Sequence, residues 1–215
     1  HFWDLNDNTS IATAAYVSFG SGGGGGFGGE NKFRFDDDEY RIGEFGTINF
    51  DKIVAENEAA GVEGSESILR ASRNDHNWYG VISTIKTNFT DDLVFLGGLD
   101  LRGYKGIHFT EVTDLLGGQY YSDNANINNP NAQAKVGDKI FYDNDGKVGW
   151  LGAFAQVEYD IKENLNAFVS LSASNTSYQR VDRFLYLDSD PLQESDKYNF
   201  FGFGAKGGAN YRIDG

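Results

Sequence analysis

The side chains best equipped for chemistry are acidic and fall in two short runs, Asp36-Asp37-Asp38-Glu39 and Asp143-Asn144-Asp145-Gly146. Calcium takes several hard oxygen ligands on a tight turn, which makes Asp143 and Asp145 weak calcium candidates. An EF-hand also needs ligands at alternating positions and a closing Glu, and the second run lacks that frame. The simpler expectation is a solvated acidic loop with a β-turn at Asp145-Gly146. His1, His76 and His108 show no H-x-x-x-H or H-E-x-x-H spacing, and with 0 Cys and 0 Met neither a zinc site nor a disulfide framework is expected. No cofactor is expected. Ser, His and Asp occur without a G-x-S-x-G elbow, so an enzyme is the least favoured class. Asp100 and Glu158 could be drawn as an acid/base pair, but charges on one face of a wall more often pair with neighbours such as Arg102, Lys86 or Lys206.

Gly20 to Gly29 contains G-x-G-x-x-G through glycine density alone and runs into Glu30-Asn31-Lys32, with no Lys-Ser/Thr to complete a phosphate cradle. It reads as a flexible loop. His76, Trp78, Tyr79, Tyr120 and Tyr121 stand as weak ligand-contact candidates. For Trp78 and Tyr79 the preferred reading is an interfacial girdle, because an apolar ring with a polar edge suits a membrane boundary. Tyr104, Trp150, Tyr159 and Tyr211 admit the same reading.

These residues sit on or beside about six runs of period-two alternation. The runs are 10–19, 79–89, 93–104, 151–159, 165–174 and 201–213. In the fourth, Leu151, Ala153, Ala155, Val157 and Tyr159 oppose Gln156 and Glu158; in the fifth, Leu165, Ala167, Val169, Leu171 and Ala173 oppose Asn166 and three serines. Gly97 and Gly98 are expected bend points in the third. Short polar turns join the runs at one end, at Leu5 to Asn8, Thr90 to Asp92 and Asp160 to Asn164. Long loops, at about 20–74, 106–147 and 177–197, join them at the other. That asymmetry is the signature of a transmembrane antiparallel β-barrel with its long loops outside the cell.

Mean hydropathy is -0.47 and the formal net charge -14, values that favour a soluble protein only if membrane burial must show as a continuous apolar stretch. A barrel wall meets lipid with every second residue, so mean hydropathy understates its burial. The balance of 32 Asp+Glu against 18 Lys+Arg excludes the basic footprint of a nucleic-acid partner. Known lipid-spanning barrels begin at about eight strands. Six would leave two unpaired edges in hydrocarbon, where backbone groups go unsatisfied.

Several segments resemble one family, the TonB-dependent outer-membrane transporters, in their large Bacteroidota branch. They are HFWDLN at His1 to Asn6, YVSFGSGGG at Tyr16 to Gly24, SRNDHNWYG at Ser72 to Gly80, GGLDLRGYKG at Gly97 to Gly106, DLLGGQYY at Asp114 to Tyr121, VGDKIFYDNDG at Val136 to Gly146 and KGGANYRIDG at Lys206 to Gly215. The resemblance implies a segment of a barrel of about 22 strands around a plug, in the bacterial outer membrane, importing a bulky nutrient such as a siderophore, cobalamin, glycan or peptide. Its implied partners are outer-membrane lipid, the remaining wall and plug, the TonB complex acting through the plug, and a surface lipoprotein or larger assembly. The family's coupling box and plug motifs match nothing here, so residues 1–215 are expected to be part of one barrel domain without its plug. Two alternatives stand beside it: a barrel subunit serving as scaffold in a larger outer-membrane assembly, and a secreted β-rich adhesin or glycan-binding protein.

Overall fold

A computed structural model describes residues 1–30, 33 and 38–213. Its strands are β1 (Phe2–Asn6), β2 (Thr9–Gly20), β3 (Gly23–Gly29), β4 (Arg41–Ile42), β5 (Thr47–Ile48), β6 (Ser67–Thr90), β7 (Leu93–Asp114), β8 (Tyr121–Asp123), β9 (Ala132–Ala134), β10 (Lys139–Lys162), β11 (Leu165–Asp182) and β12 (Tyr198–Tyr211). One α-helix, α1 (Phe50–Ala60), lies between β5 and β6.

The protein is mostly antiparallel β-sheet. The main sheet runs β1-β2-β6-β7-β10-β11-β12, with β3 pairing β6 beyond the end of β2. Neighbours in space are therefore neighbours in sequence, and β2 with β3 acts as one interrupted strand. The tight turns follow from side chains that replace backbone hydrogen bonds: Asn6 Oδ1 accepts from the Asn8 N–H at 2.9 Å, and Thr90 Oγ1 from the Asp92 N–H at 3.3 Å. Among the described residues the sheet is open, with β1 and β12 at its edges.

Three expectations need correction. The alternation marked about six runs, but the main sheet has eight strands, β3 among them. The Gly-rich stretch is strand, with Gly23–Gly29 registered against Arg73–Ser67 of β6. The strands also continue well past the alternating runs: β6 and β10 are 24 residues each, so the upper connections shrink to 30–66, 115–138 and 183–197. Segments 67–74, 106–114, 139–147 and 177–182, expected as loop, belong to the sheet.

Cross-strand register assigns the two faces. On one, Ala15, Val81, Leu101 and Leu151 form a row, and Thr87, Phe95, Val157 and Val169 form another nearer the tight turns. This face stays open, with Leu151 51%, Leu171 58% and Phe203 87% exposed. On the other, Lys86, Leu96, Gln156, Ser170 and Lys206 share a row. Gly97 and Gly98 lie within unbroken β7 pairing and are not bends; a Cβ at Gly98 would meet the Phe154 ring at 2.6 Å, so that glycine gives the ring its seat.

The buried cores lie at the upper end, away from the open apolar rows. Ile68, Val112, Ala134 and Ile140 form one cluster, and Phe33, Ile53 and Leu116 another beneath α1. Asn49 caps the helix by accepting from the Lys52 N–H at 3.2 Å. Fully buried Asn57 ties α1 down: its amide nitrogen donates to the carbonyls of Ser67, Leu115 and Leu116 at 2.9, 3.2 and 3.0 Å, and its oxygen accepts from the Glu66 N–H at 3.0 Å.

Candidate ligand groove

Sheet pleating decides which aromatic residues meet. Successive residues of a strand point to opposite faces, so Trp78 and Tyr79 cannot share a medium. Tyr79 pairs with Val17 and lies on the open apolar face, as do Tyr159 and Tyr211 by register. Trp78, Tyr104, Val148 and Tyr178 form a row on the polar face, and Tyr16, Arg102, Trp150 and Thr176 belong to the rows beside it. The girdle expected for Trp78, Tyr104 and Trp150 is therefore corrected: these three rings turn away from the apolar rows.

Together they build a groove of about 340 Å³ lined by Trp78, Arg102, Tyr104, Val148, Trp150, Thr176 and Tyr178. Its rings meet edge to face, which suits their quadrupoles: Tyr16 and Trp78 are 5.8 Å apart and Trp78 and Tyr104 6.5 Å. Arg102 lies 5.8 Å over the Trp150 ring and grips Asp100 through two bonds, Nε to Oδ1 at 2.9 Å and Nη2 to Oδ2 at 2.5 Å. The expected pairing of Asp100 is thus present, with Arg102 on its own strand. Glu158 is held by Gln156 Nε2 at 2.7 Å.

One donor beside this groove, directed at Gly152, lacks a partner. The Trp150 indole N–H is buried and has no hydrogen-bond partner, although buried polar groups are nearly always satisfied. The groove therefore offers flat apolar rings and the guanidinium of Arg102, a set suited to noncovalent recognition of a ligand with a flat face. Sequence reading singled out Trp78 here but missed Arg102, Val148, Thr176 and Tyr178 as neighbours. Counting parity outward from Val81, Leu101 and Leu151 would have found them.

The other candidates have separate positions. His76 is on the same face as Trp78 and stacks on Tyr104 at 6.0 Å, one row above the groove. Tyr120 donates to the Val62 carbonyl at 2.8 Å. Tyr121 packs edge to face on Phe141 at 6.0 Å, against the buried cluster around Ile68. These two tyrosines hold the upper loops together and are remote in the fold from the groove.

Asp143 and Asp145 lie within β10 and are buried, so the solvated β-turn expected for them is replaced by strand. Asp143 binds Lys139 at 2.8 Å and Arg183 at 3.3 Å; Asp145 binds Lys105 at 2.9 Å and also Arg183. Both carboxylates are thus already paired with cationic side chains. Burial alone would raise the Asp145 carboxyl, but hydrogen bonds from Arg183 and Lys105 outweigh it and hold the group below its ordinary value. Of the first acidic run, Asp36 and Asp37 lie outside the described residues, and Glu39 pairs with Lys52 at 2.5 Å. Among the described residues no group of three or more His, Cys, Asp and Glu could hold a metal ion.

Compared with known proteins, the chain matches no family model and no curated protein.

Proposed function

We propose that this chain is part of the wall of an outer-membrane β-barrel receptor of the TonB-dependent kind, which imports a bulky nutrient. One observation carries the reading: a consecutive antiparallel meander exposes a continuous apolar band on one face, places Asp100, Arg102, Lys86, Gln156 and Lys206 on the other, and among the described residues has two unpaired edges. Along β10 the band from Leu151 to Tyr159 spans about 27 Å of strand, or about 20 Å of height at a tilt near 40°, close to the roughly 25 Å belt of such barrels.

A secreted sandwich accounts less well for this arrangement, because a second layer should cover the apolar rows, and among the described residues they stay open. Among the described residues no helix is long and apolar enough to cross a membrane, which says nothing against crossing by strands. Further strands of the same barrel would close the two edges, and the polar face would line the lumen around the plug. The test is the mobility of the parent protein before and after heating, with folding assayed with and without detergent. Heat-modifiable migration and detergent-dependent folding support the reading; a folded monomer soluble in plain buffer contradicts it.

A further inference from the structure

The open apolar face carries a charge pattern that nutrient uptake does not use. Immediately above the apolar rows, register places Asn77, Lys105, Lys147 and Gln179 side by side on four neighbouring strands. Lys197 joins them across a groove of about 360 Å³. Lys105 and Lys147 are direct cross-strand partners, an arrangement that costs stability unless an anion relieves it. Their protein counter-charges are few. Asp145 is divided between Lys105 and Arg183, exposed Glu194 meets Lys147 at 2.7 Å, and Lys197 has no carboxylate partner among the described residues. A cluster of three lysines is notable in a chain of net charge -14.

The groove continues downward. Tyr79, Val148 and Gly149 line it and also line a second, larger hollow of about 520 Å³ that reaches Val81 and Leu101. A basic upper part thus opens into an apolar lower part, at the level where a membrane changes from headgroups to hydrocarbon.

Resting on the barrel reading above, we propose that this groove binds one phospholipid of the outer leaflet whose headgroup carries net negative charge, the phosphate of a zwitterion being already balanced by its own cation. Lys105, Lys147 and Lys197 receive the phosphate, Asn77 and Gln179 donate beside it, and the acyl chain follows Val81 and Leu101. Charge complementarity and the continuity of the two hollows select a lipid over a soluble anion.

Native mass spectrometry of the detergent-solubilised parent protein, titrated with phosphatidylglycerol and with phosphatidylcholine, tests this. The triple variant K105Q/K147Q/K197Q is expected to bind phosphatidylglycerol about a hundredfold more weakly, with phosphatidylcholine unchanged. Millimolar sodium phosphate is expected not to displace the lipid. The control K86Q/K206Q, altered on the opposite face, is expected to bind like the parent. Unchanged binding by the triple variant, equal weakening by the control, or displacement by phosphate alone would each overturn the proposal. Heat-modifiable migration of the same samples separates the two claims: its presence with unchanged lipid binding removes only the lipid site, whereas its absence removes the barrel reading as well.

Discussion

Asp145 shows how one carboxylate can fix an upper loop. Its oxygen meets Lys105 on β7 and Arg183 at the exit of β11, and Arg183 also reaches Asp143. Asp145→Asn removes a buried charge and leaves two partly exposed cations, so it should destabilise this region by about 1–3 kcal/mol, screened by their contact with solvent. Hydrogen exchange at the amides of residues 183–185 should read that loss as faster exchange, with the middle of β11 unchanged. The pH dependence has a definite sign. Because the folded carboxyl titrates below its ordinary 3.8, its contribution is complete at neutral pH and is lost as pH falls through the lowered value. Protection at 183–185 should therefore hold from pH 7 to about 4 and then drop in the parent; in Asp145→Asn it should be low throughout and nearly flat. At the same scale, the parity of adjacent residues was the one part of the groove readable from sequence. Trp150 precedes Leu151 of the open apolar face, so it had to face the other way. Arg102 follows Leu101 and obeys the same rule, whereas for Trp78, Tyr104 and Trp150 a girdle preference assigned by residue type conceals it.

At the scale of elements, α1 depends on Asn57 more than on its own helix propensity. Four backbone groups from Glu66, Ser67, Leu115 and Leu116 are satisfied by this one side chain. Asn57→Ala removes these four bonds together, although the Leu115 carbonyl keeps those from Ser65 Oγ and the Gly118 N–H; the loss should cost about 2–4 kcal/mol and release protection across Phe50–Ala60 and 115–118 while the lower strands keep theirs. Retained protection in α1 would show that the helix holds by apolar contacts at Ile53 alone. Alternation exposed the lower halves of β2, β6, β7, β10, β11 and β12 because there each strand separates an apolar face from a polar one. It missed β3 and the upper halves of the longest strands for a physical reason. Above the apolar rows, both faces meet polar side chains, folded loops or water, so sequences such as Gly23–Gly29 and Lys139–Gly146 carry no period of two although their backbones pair fully. The helix was hidden similarly: of its residues only Ile53 and Asn57 are buried, too few for a strong helical stripe.

For the whole molecule, the two faces of the sheet predict opposite responses to charge. Val169→Lys places a charge in the middle of the apolar band, and should cost about 2–4 kcal/mol of folding stability in a bilayer. Ser170→Lys, one residue along on the polar face, should change it by less than about 1 kcal/mol. Equal penalties, measured by denaturant titration in vesicles, would count against a lipid-facing band. The direct test uses the absence of native cysteine: single cysteines placed in turn from Leu151 to Tyr159, spin-labelled in vesicles, report collision with oxygen dissolved in lipid and with a water-soluble nickel chelate. A period of two is predicted, with labels at 151, 153, 155, 157 and 159 meeting oxygen and those at 152, 154, 156 and 158 shielded from it. Uniform access to the nickel chelate, or oxygen contact on the Gln156 and Glu158 side, would contradict the account.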